Sequence, residues 1–375
     1  MQDELIVVKV GTSSLTKSNG SPDLDSIQAI VNQVAKTVLK GFKVVLVTSG
    51  AVAFGISELG VKPKPKDILF QQVSASMGQA ILMSYYRDFF KHHKIKVGQV
   101  LLSQDDLSDR SSYVHICDVF ETLLDLGVVP IVNENDVTST DELIPVMDGL
   151  RVNFSDNDVL SALIANALGA DLLVILSDVD GLYTMNPEEP EAKLIPVVES
   201  ISSQVRNLAD GKSRLGRGGM KTKIQAAEIV TSSGIPMIIA NSRRDNVLTD
   251  IVEGKVVGTL FKPIGRMSSR KRWIAYGASV KGQLKVNEGA KKAIEGGASL
   301  LPVGIIDVSG SFNVGDVIVL VDEANKEFAR GITNYTSEEI NMIKGVKTGN
   351  VEDVLGYIRR MEAVTRKYMY MLEEK

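Results

Sequence analysis

Six short runs dominate the first two-thirds of the chain: LIVVKVGTS, KVVLVTSG, VGQVLLS, VVPIVNEND, LLVILSD and PMIIANS. Each is rich in β-branched residues, apolar without alternation, and closed by small or polar residues. A strand with water on one face alternates in polarity, so unbroken apolar runs suit strands covered on both faces, as in a parallel sheet. Between them, SIQAIVNQVAKTVLKGF and VLSALIANALGAD repeat their apolar residues at helical spacing. Strands alternating with helices predict a doubly wound α/β domain, a mainly parallel sheet sandwiched by helices, over residues 1–262.

The pattern breaks at KPIGRMSSRKRW, which combines Pro, Gly, Ser and basic residues without periodicity. Residues 263–270 are read as a linker and 271–375 as a second, smaller β-rich domain, with strands and turns such as GIIDVSGSFNVGDVIVLVD. Its last stretch, VEDVLGYIRRMEAVTRKYMYMLEEK, is expected to be a C-terminal amphipathic helix.

Composition narrows the chemistry. The one cysteine, Cys117, excludes an internal disulfide and a thiolate metal cluster, and two of the three histidines, His92 and His93, are adjacent and cannot share a helix face as a zinc pair. No metal ligands are therefore assigned. Residues 264–375 carry 17 Lys+Arg against 14 Asp+Glu, a net +3 too mild to demand nucleic acid, within a chain of net charge −4. Neither a signal peptide nor a membrane span is visible, so a cytoplasmic protein is expected.

In open α/β sheets, function collects beyond the carboxyl ends of the strands. The unusual residues fall there: Gly11-Thr12-Ser13, Thr48-Ser49-Gly50, Asn133-Glu134-Asn135-Asp136 and Ser177-Asp178. Lys9, two residues before Gly11 in an apolar strand, admits two readings. It is an edge-strand lysine reaching out to water, or a cation beside a glycine turn that approaches phosphate. In SDNDVLSALIANAL, Ser155 or Asp156 suits a helix cap, which leaves Asn157 and Asp158 less well explained. LSDVDGLYTMNP is either a turn cluster or a loop holding a nucleotide through backbone groups and Asp178. GRGGMKTK lacks the glycine that precedes Lys-Ser/Thr in the common phosphate loop. It is a solvated basic loop, or a glycine loop leading an anion to a helix N-terminus. Lys221 and Lys223 point in different directions on a helix, so at most one faces a phosphate directly.

Taken together, VVKVGTS, LVTSGAVAFG, VPIVNEND, SDNDVLSALIA, LSDVDGLYT and GRGGMKTK resemble, in order and spacing, the glutamate 5-kinases of the amino acid kinase family. The C-terminal segment resembles a PUA domain, a module otherwise known from RNA-modifying enzymes. The resemblance implies the amino acid kinase fold and transfer of the ATP γ-phosphoryl group to the side-chain carboxylate of L-glutamate, the first step of proline biosynthesis. Carried to this chain, it implies that Lys9, Gly11, Ser177, Asp178, Arg217, Gly218, Gly219, Met220, Lys221, Thr222 and Lys223 bind ATP. It further implies that Ser49, Gly50, Asp136 and Asn157 bind glutamate, that Lys9 and Lys223 are catalytic, and that Asp158 organises them. Inhibition by proline and a homo-oligomer are expected from the family, and RNA binding by the PUA-like domain is conceivable from the module. The segment TSTDELIPVMDGLRVNF, longer than in many bacterial members, would alter the loop over the glutamate pocket.

The residue inventory agrees with this chemistry. A carboxylate of pKa about 4.3 is ionised at neutral pH and needs no general base, whereas two anions meeting in line need cations and alignment. Mg²⁺ is expected to bridge the ATP phosphates with few protein ligands. The competing expectations are a sister kinase (acetylglutamate, aspartate or uridylate kinase) and an RNA-binding protein on a degenerate kinase fold.

Overall fold

The computed structural model describes residues 4–60, 67–138, 157–208, 219–265, 271 and 273–372. It divides into two compact units, Met1–Met267 and Ser268–Lys375.

In the first unit the chain runs β1 (Leu5–Val10), α1 (Leu24–Leu39), β2 (Lys43–Val47), α2 (Ala51–Leu59), α3 (Ile68–His92), β3 (Lys96–Leu102), α4 (Gln104–Ser108), α5 (Arg110–Asp125) and β4 (Val128–Glu134). It continues through α6 (Asn157–Leu168), β5 (Leu172–Ser177), β6 (Val197–Val198), α7 (Ser203–Leu208), α8 (Met220–Thr231), β7 (Met237–Asn241), α9 (Val247–Val252) and β8 (Thr259–Phe261). The sheet order is β3-β4-β2-β1-β5-β7-β8-β6. Every pairing is parallel except β7 with β8. The six apolar runs are β1, β2, β3, β4, β5 and β7, but β3, the terminal strand of the sheet and paired only with β4, is largely exposed or half-buried rather than covered on both faces. From β1 the chain builds outward on one side through β2, β4 and β3, then crosses to β5 on the other. That reversal makes the carboxyl ends of β1, β2 and β5 a switch point where a crevice opens.

Strand alternation sorts the layers. Ile6, Val8 and Val10 of β1 pack with Ile27, Ile30, Val31 and Val34 of α1 and with Leu82, Tyr86 and Phe90 of α3 in one core. Val7 and Lys9 therefore point to the opposite face, where α6 and α8 lie. Helix α1 begins where Asp23 accepts a hydrogen bond from the Ser26 amide, a side-chain cap for a free N–H. No helix among the described residues is long and apolar enough to cross a membrane.

The second unit is a five-stranded sheet of β9 (Val280–Val286), β10 (Ile305–Gly310), β11 (Val317–Val321), β12 (Glu327–Thr333) and β13 (Val364–Met371), in the order β10-β9-β11-β12-β13. Only β9 and β11 run parallel. Its own core includes Leu284, Ile318, Leu320, Tyr335 and Ile340.

The expected C-terminal helix is a correction. Its first residues form one short helix, Val351–Leu355, stopped by Gly356 in the left-handed region at φ 77°. The rest, VTRKYMYM, is β13, antiparallel to β12. Val364, Thr365, Tyr368 and Tyr370 suit a pleated surface, and pairing with β12 satisfies backbone groups that would otherwise form an open edge.

Candidate functional site

Lys9 sits in β1 with Val47 of β2 and Ile175 of β5 as its register partners. It is thus in the middle of the sheet and 4% exposed, which removes the edge-strand reading. Its Nζ lies 2.5 Å from Asp158 Oδ1. The other carboxylate oxygen, Oδ2, is 3.2 Å from Lys223 Nζ and accepts a hydrogen bond of 2.9 Å from the Thr222 hydroxyl. Asp158 is fully buried in the first turn of α6, and Lys223, 6% exposed, lies one turn into α8. Two cations from separate elements therefore share one buried carboxylate. Helix capping does not account for that arrangement.

Burial by itself would raise the pKa of Asp158. The two ammonium groups outweigh it and hold the carboxyl at about 2. Gly11 lies beside the cluster, where a Cβ would stand in ordinary contact, 3.6 Å from Lys9 Nζ. At the start of α8, Gly219 is the N-cap and offers no side-chain cap, and the first N–H groups of a helix have no acceptor within it. Lys221 is exposed while Lys223 is buried, so the helix turns the two lysines to different surroundings. Arg217 and Gly218 lie outside the described residues, as do Ser155, Asp156 and most of the long segment after Asp136.

A second group of polar residues lies at the ends of β2 and β4. The Asn157 side-chain amide donates from Nδ2 to the Thr48 carbonyl at 3.0 Å, to Ser49 Oγ at 2.9 Å and to Asn133 Oδ1 at 3.1 Å. Ser49, Asp136 and Asn157 are all buried. Gly50, at φ 98°, turns the chain from β2 into α2, a conformation that side chains with a Cβ rarely adopt. Consecutive residues Asn157 and Asp158 thus reach two different clusters, one of amides and one of cations. On the other side of β1, Ser177 is buried and Asp178 is exposed at the end of β5, with the Ser177 hydroxyl donating to Asp178 Oδ1 at 3.1 Å.

Some supports escape the sequence reading. The Ser242 hydroxyl, after β7, donates to Ser14 Oγ at 2.7 Å and ties down the turn that follows β1. Gln79 of α3 is buried and accepts from Asn133 Nδ2 at 2.7 Å. Its only sequence signal is its place in a helical stripe, Gln71, Ser74, Ala75, Gly78, Gln79, Leu82, Tyr86 and Phe90, all buried.

Paired cations on a buried carboxylate, beside a glycine-led helix N-terminus at a sheet's switch point, define a phosphoryl-transfer class of site. The family model described as the amino acid kinase family matches residues 4–241, and the chain belongs to that family. A PUA domain model matches residues 282–355. Among curated relatives, a glutamate 5-kinase of Thermoanaerobacter sp. (strain X514) is 45% identical over 372 residues, covering 98% of each chain. A glutamate 5-kinase of Methanosarcina barkeri (strain Fusaro / DSM 804) is 43% identical over 378 residues, covering 98% of this chain and 96% of the relative. Among solved structures, carbamate kinase from Giardia lamblia bound to AMP-PNP aligns with TM-score 0.48 at 21% identity, over 69% of this chain and 98% of that one.

Proposed function

We propose that this chain is a kinase that transfers the γ-phosphoryl group of ATP to the side-chain carboxylate of L-glutamate, giving L-glutamyl 5-phosphate for proline biosynthesis. The observation that carries the reading is the Lys9–Asp158–Lys223 cluster, in a chain 45% identical to a glutamate 5-kinase along nearly its whole length.

The acceptor carboxylate is ionised at neutral pH and attacks without a general base. The obstacle is repulsion between two anions and the charge spread over the transferred group. Lys9 and Lys223 approach that group from β1 and α8, and Asp158 keeps both ammonium groups aimed and charged before substrate arrives. Gly219 and the first N–H groups of α8 hold phosphate oxygens, with Met220, Lys221 and Thr222 completing the loop. Ser177 and Asp178 border the nucleotide, and Gly11 lets the turn after β1 close on it. Asp136 and Asn157 supply acceptors for the α-ammonium of glutamate, and Ser49 with Gly50 lines the same pocket.

Mg²⁺ fits this donor set as a partner of the nucleotide. Asp158 is already committed to two lysines, and no group of three or more His, Cys, Asp or Glu suited to a metal occurs among the described residues. Bound with ATP, the ion would supply positive charge that offsets the negative charge of the phosphates during transfer. Assembly as a homo-oligomer and inhibition by proline belong to the same proposal, on the family resemblance.

A coupled assay for ADP release, run with glutamate, aspartate and N-acetylglutamate, tests the reading. Turnover with glutamate alone is expected, and added proline should lower it. Preference for either other acceptor would assign the chain to a sister activity.

A further inference from the structure

We infer that Gln79 is a positioning residue for the amino-acid substrate, acting through a relay of side-chain amides that steadies Asn157 and the oxygen it presents. The inference rests on the glutamate reading above and extends it to a residue that the phosphoryl-transfer machinery does not touch.

The relay has a direction, and a backbone group sets it. The Thr48 carbonyl can only accept, so the atom of Asn157 facing it at 3.0 Å must be Nδ2. The same Nδ2 faces Asn133 at 3.1 Å, so Asn133 must offer Oδ1 there. Asn133 Nδ2 then points the other way, toward Gln79 at 2.7 Å, and Gln79 must meet it with Oε1. Each amide orientation is thus forced by its neighbour. Two buried atoms are left over at the ends, Asn157 Oδ1 and Gln79 Nε2, and neither has a hydrogen-bond partner among the described residues.

A buried, unpartnered amide oxygen is costly unless a ligand donor meets it. Asn157 Oδ1 is such an acceptor, and the α-ammonium of an amino acid is a donor of matching chemistry. Without Gln79 Oε1, Asn133 loses the group that holds its amide in register. Its Nδ2 is left buried without an acceptor, and the side chain can shift away from Asn157 to find one. Asn157 keeps the Thr48 carbonyl but loses its Asn133 support, so its oxygen is held less firmly against the substrate. Gln79 reaches this position because α3 brings its buried stripe beneath the ends of β2 and β4. Seven residues on, on the same face, Tyr86 bonds the Thr48 hydroxyl at 2.7 Å.

The test compares wild type with Gln79→Met and Gln79→Leu, which keep similar volume and remove the acceptor, and with Gln79→Glu, which restores an acceptor to Asn133. Circular dichroism and thermal melts select whichever of the Met and Leu variants folds like wild type. The glutamate KM of that variant should rise roughly tenfold, the scale of one buried hydrogen bond, while the ATP KM stays within about twofold. Gln79→Glu should recover most of the loss. A glutamate KM near the wild-type value in a folded Met or Leu variant overturns the relay. So does an equal rise in both KM values, which is what a merely structural role would produce. Failure of Gln79→Glu to recover would also overturn it. If wild type itself turns over no glutamate, the functional reading fails, and this outcome is distinct from an active wild type with unaffected variants.

Discussion

Asp158 carries no chemistry of its own in the proposed reaction, yet both lysines depend on it. With asparagine in its place, two buried ammonium groups would lose the carboxylate they share, and breaking a buried ion pair in this way is strongly destabilising. We expect Asp158→Asn to lower kcat by about 100-fold or more and to lower the melting temperature. ATP should raise the melting temperature of the variant more than that of wild type, because its phosphates supply the missing negative charge. An unchanged melting temperature without nucleotide would show that Asp158 does not hold the lysines. The pH dependence follows from the same group. Its folded pKa is about 2 against an ordinary 3.8, a depressed value. The stabilisation is therefore fully present above pH 3.8 and is lost as pH falls through about 2. Urea melts of wild type and Asp158→Asn between pH 5 and pH 2.5 (about the range the pKa values span) should show the stability gap narrowing below about pH 4. A gap that stays constant would remove Asp158 as its source.

At the scale of elements, the crossing of α2 and α3 carries the acceptor side of the site. Gly55 and Gly78 let the two helices touch backbone to backbone. A Cβ on Gly55 would lie 1.8 Å from the Ser74 carbonyl oxygen, and one on Gly78 would lie 1.8 Å from that of Ala51. Neither obstacle is a flexible side-chain tip, so the helices would have to separate. Ala51 opens α2 directly after Gly50, so separation would also move the Ser49–Gly50 turn. We expect Gly78→Ala to cost about 1–3 kcal/mol, the range for forcing atoms into a packed interior, and to raise the glutamate KM more than the ATP KM. A thermal melt and the two KM values measure this. A variant with unchanged melting temperature would mean that the crossing is looser than its geometry.

For the whole molecule, the two units hold separate cores, one built on β1, α1 and α3 and the other on β9, β11 and their neighbours. All the proposed phosphoryl-transfer residues that the structure describes lie in the first. A chain ending at residue 267 should therefore fold and retain phosphoryl transfer, with kcat within about threefold of the full chain. Regulation by proline, assembly or both is where a difference would appear. A truncated protein that folds, by circular dichroism and a cooperative melt, but shows no turnover would assign the second unit a part in catalysis.

What the sequence determined is what depends on short-range pattern. Strands buried on both faces need unbroken apolar runs, so β1, β2, β4, β5 and β7 were legible, and with them the edge where glycines, hydroxyls and carboxylates gather. The helical period likewise separated Lys221 from Lys223 before any packing was known. Contacts between distant parts of the chain carry no such signature. Lys9 had two readings until β2 and β5 closed on either side of β1, because only the sheet order decides whether a strand has an edge. Asp158 became the partner of Lys9 and Lys223 through the docking of α6 and α8 on one face of the sheet, across sequence gaps no local rule spans. VTRKYMYM became a strand by pairing with β12, and Gln79 met Asn133 because α3 packs against the end of β4. In each case the deciding energy is a hydrogen bond or ion pair removed from water, and such a contact exists only once tertiary packing has brought both partners together.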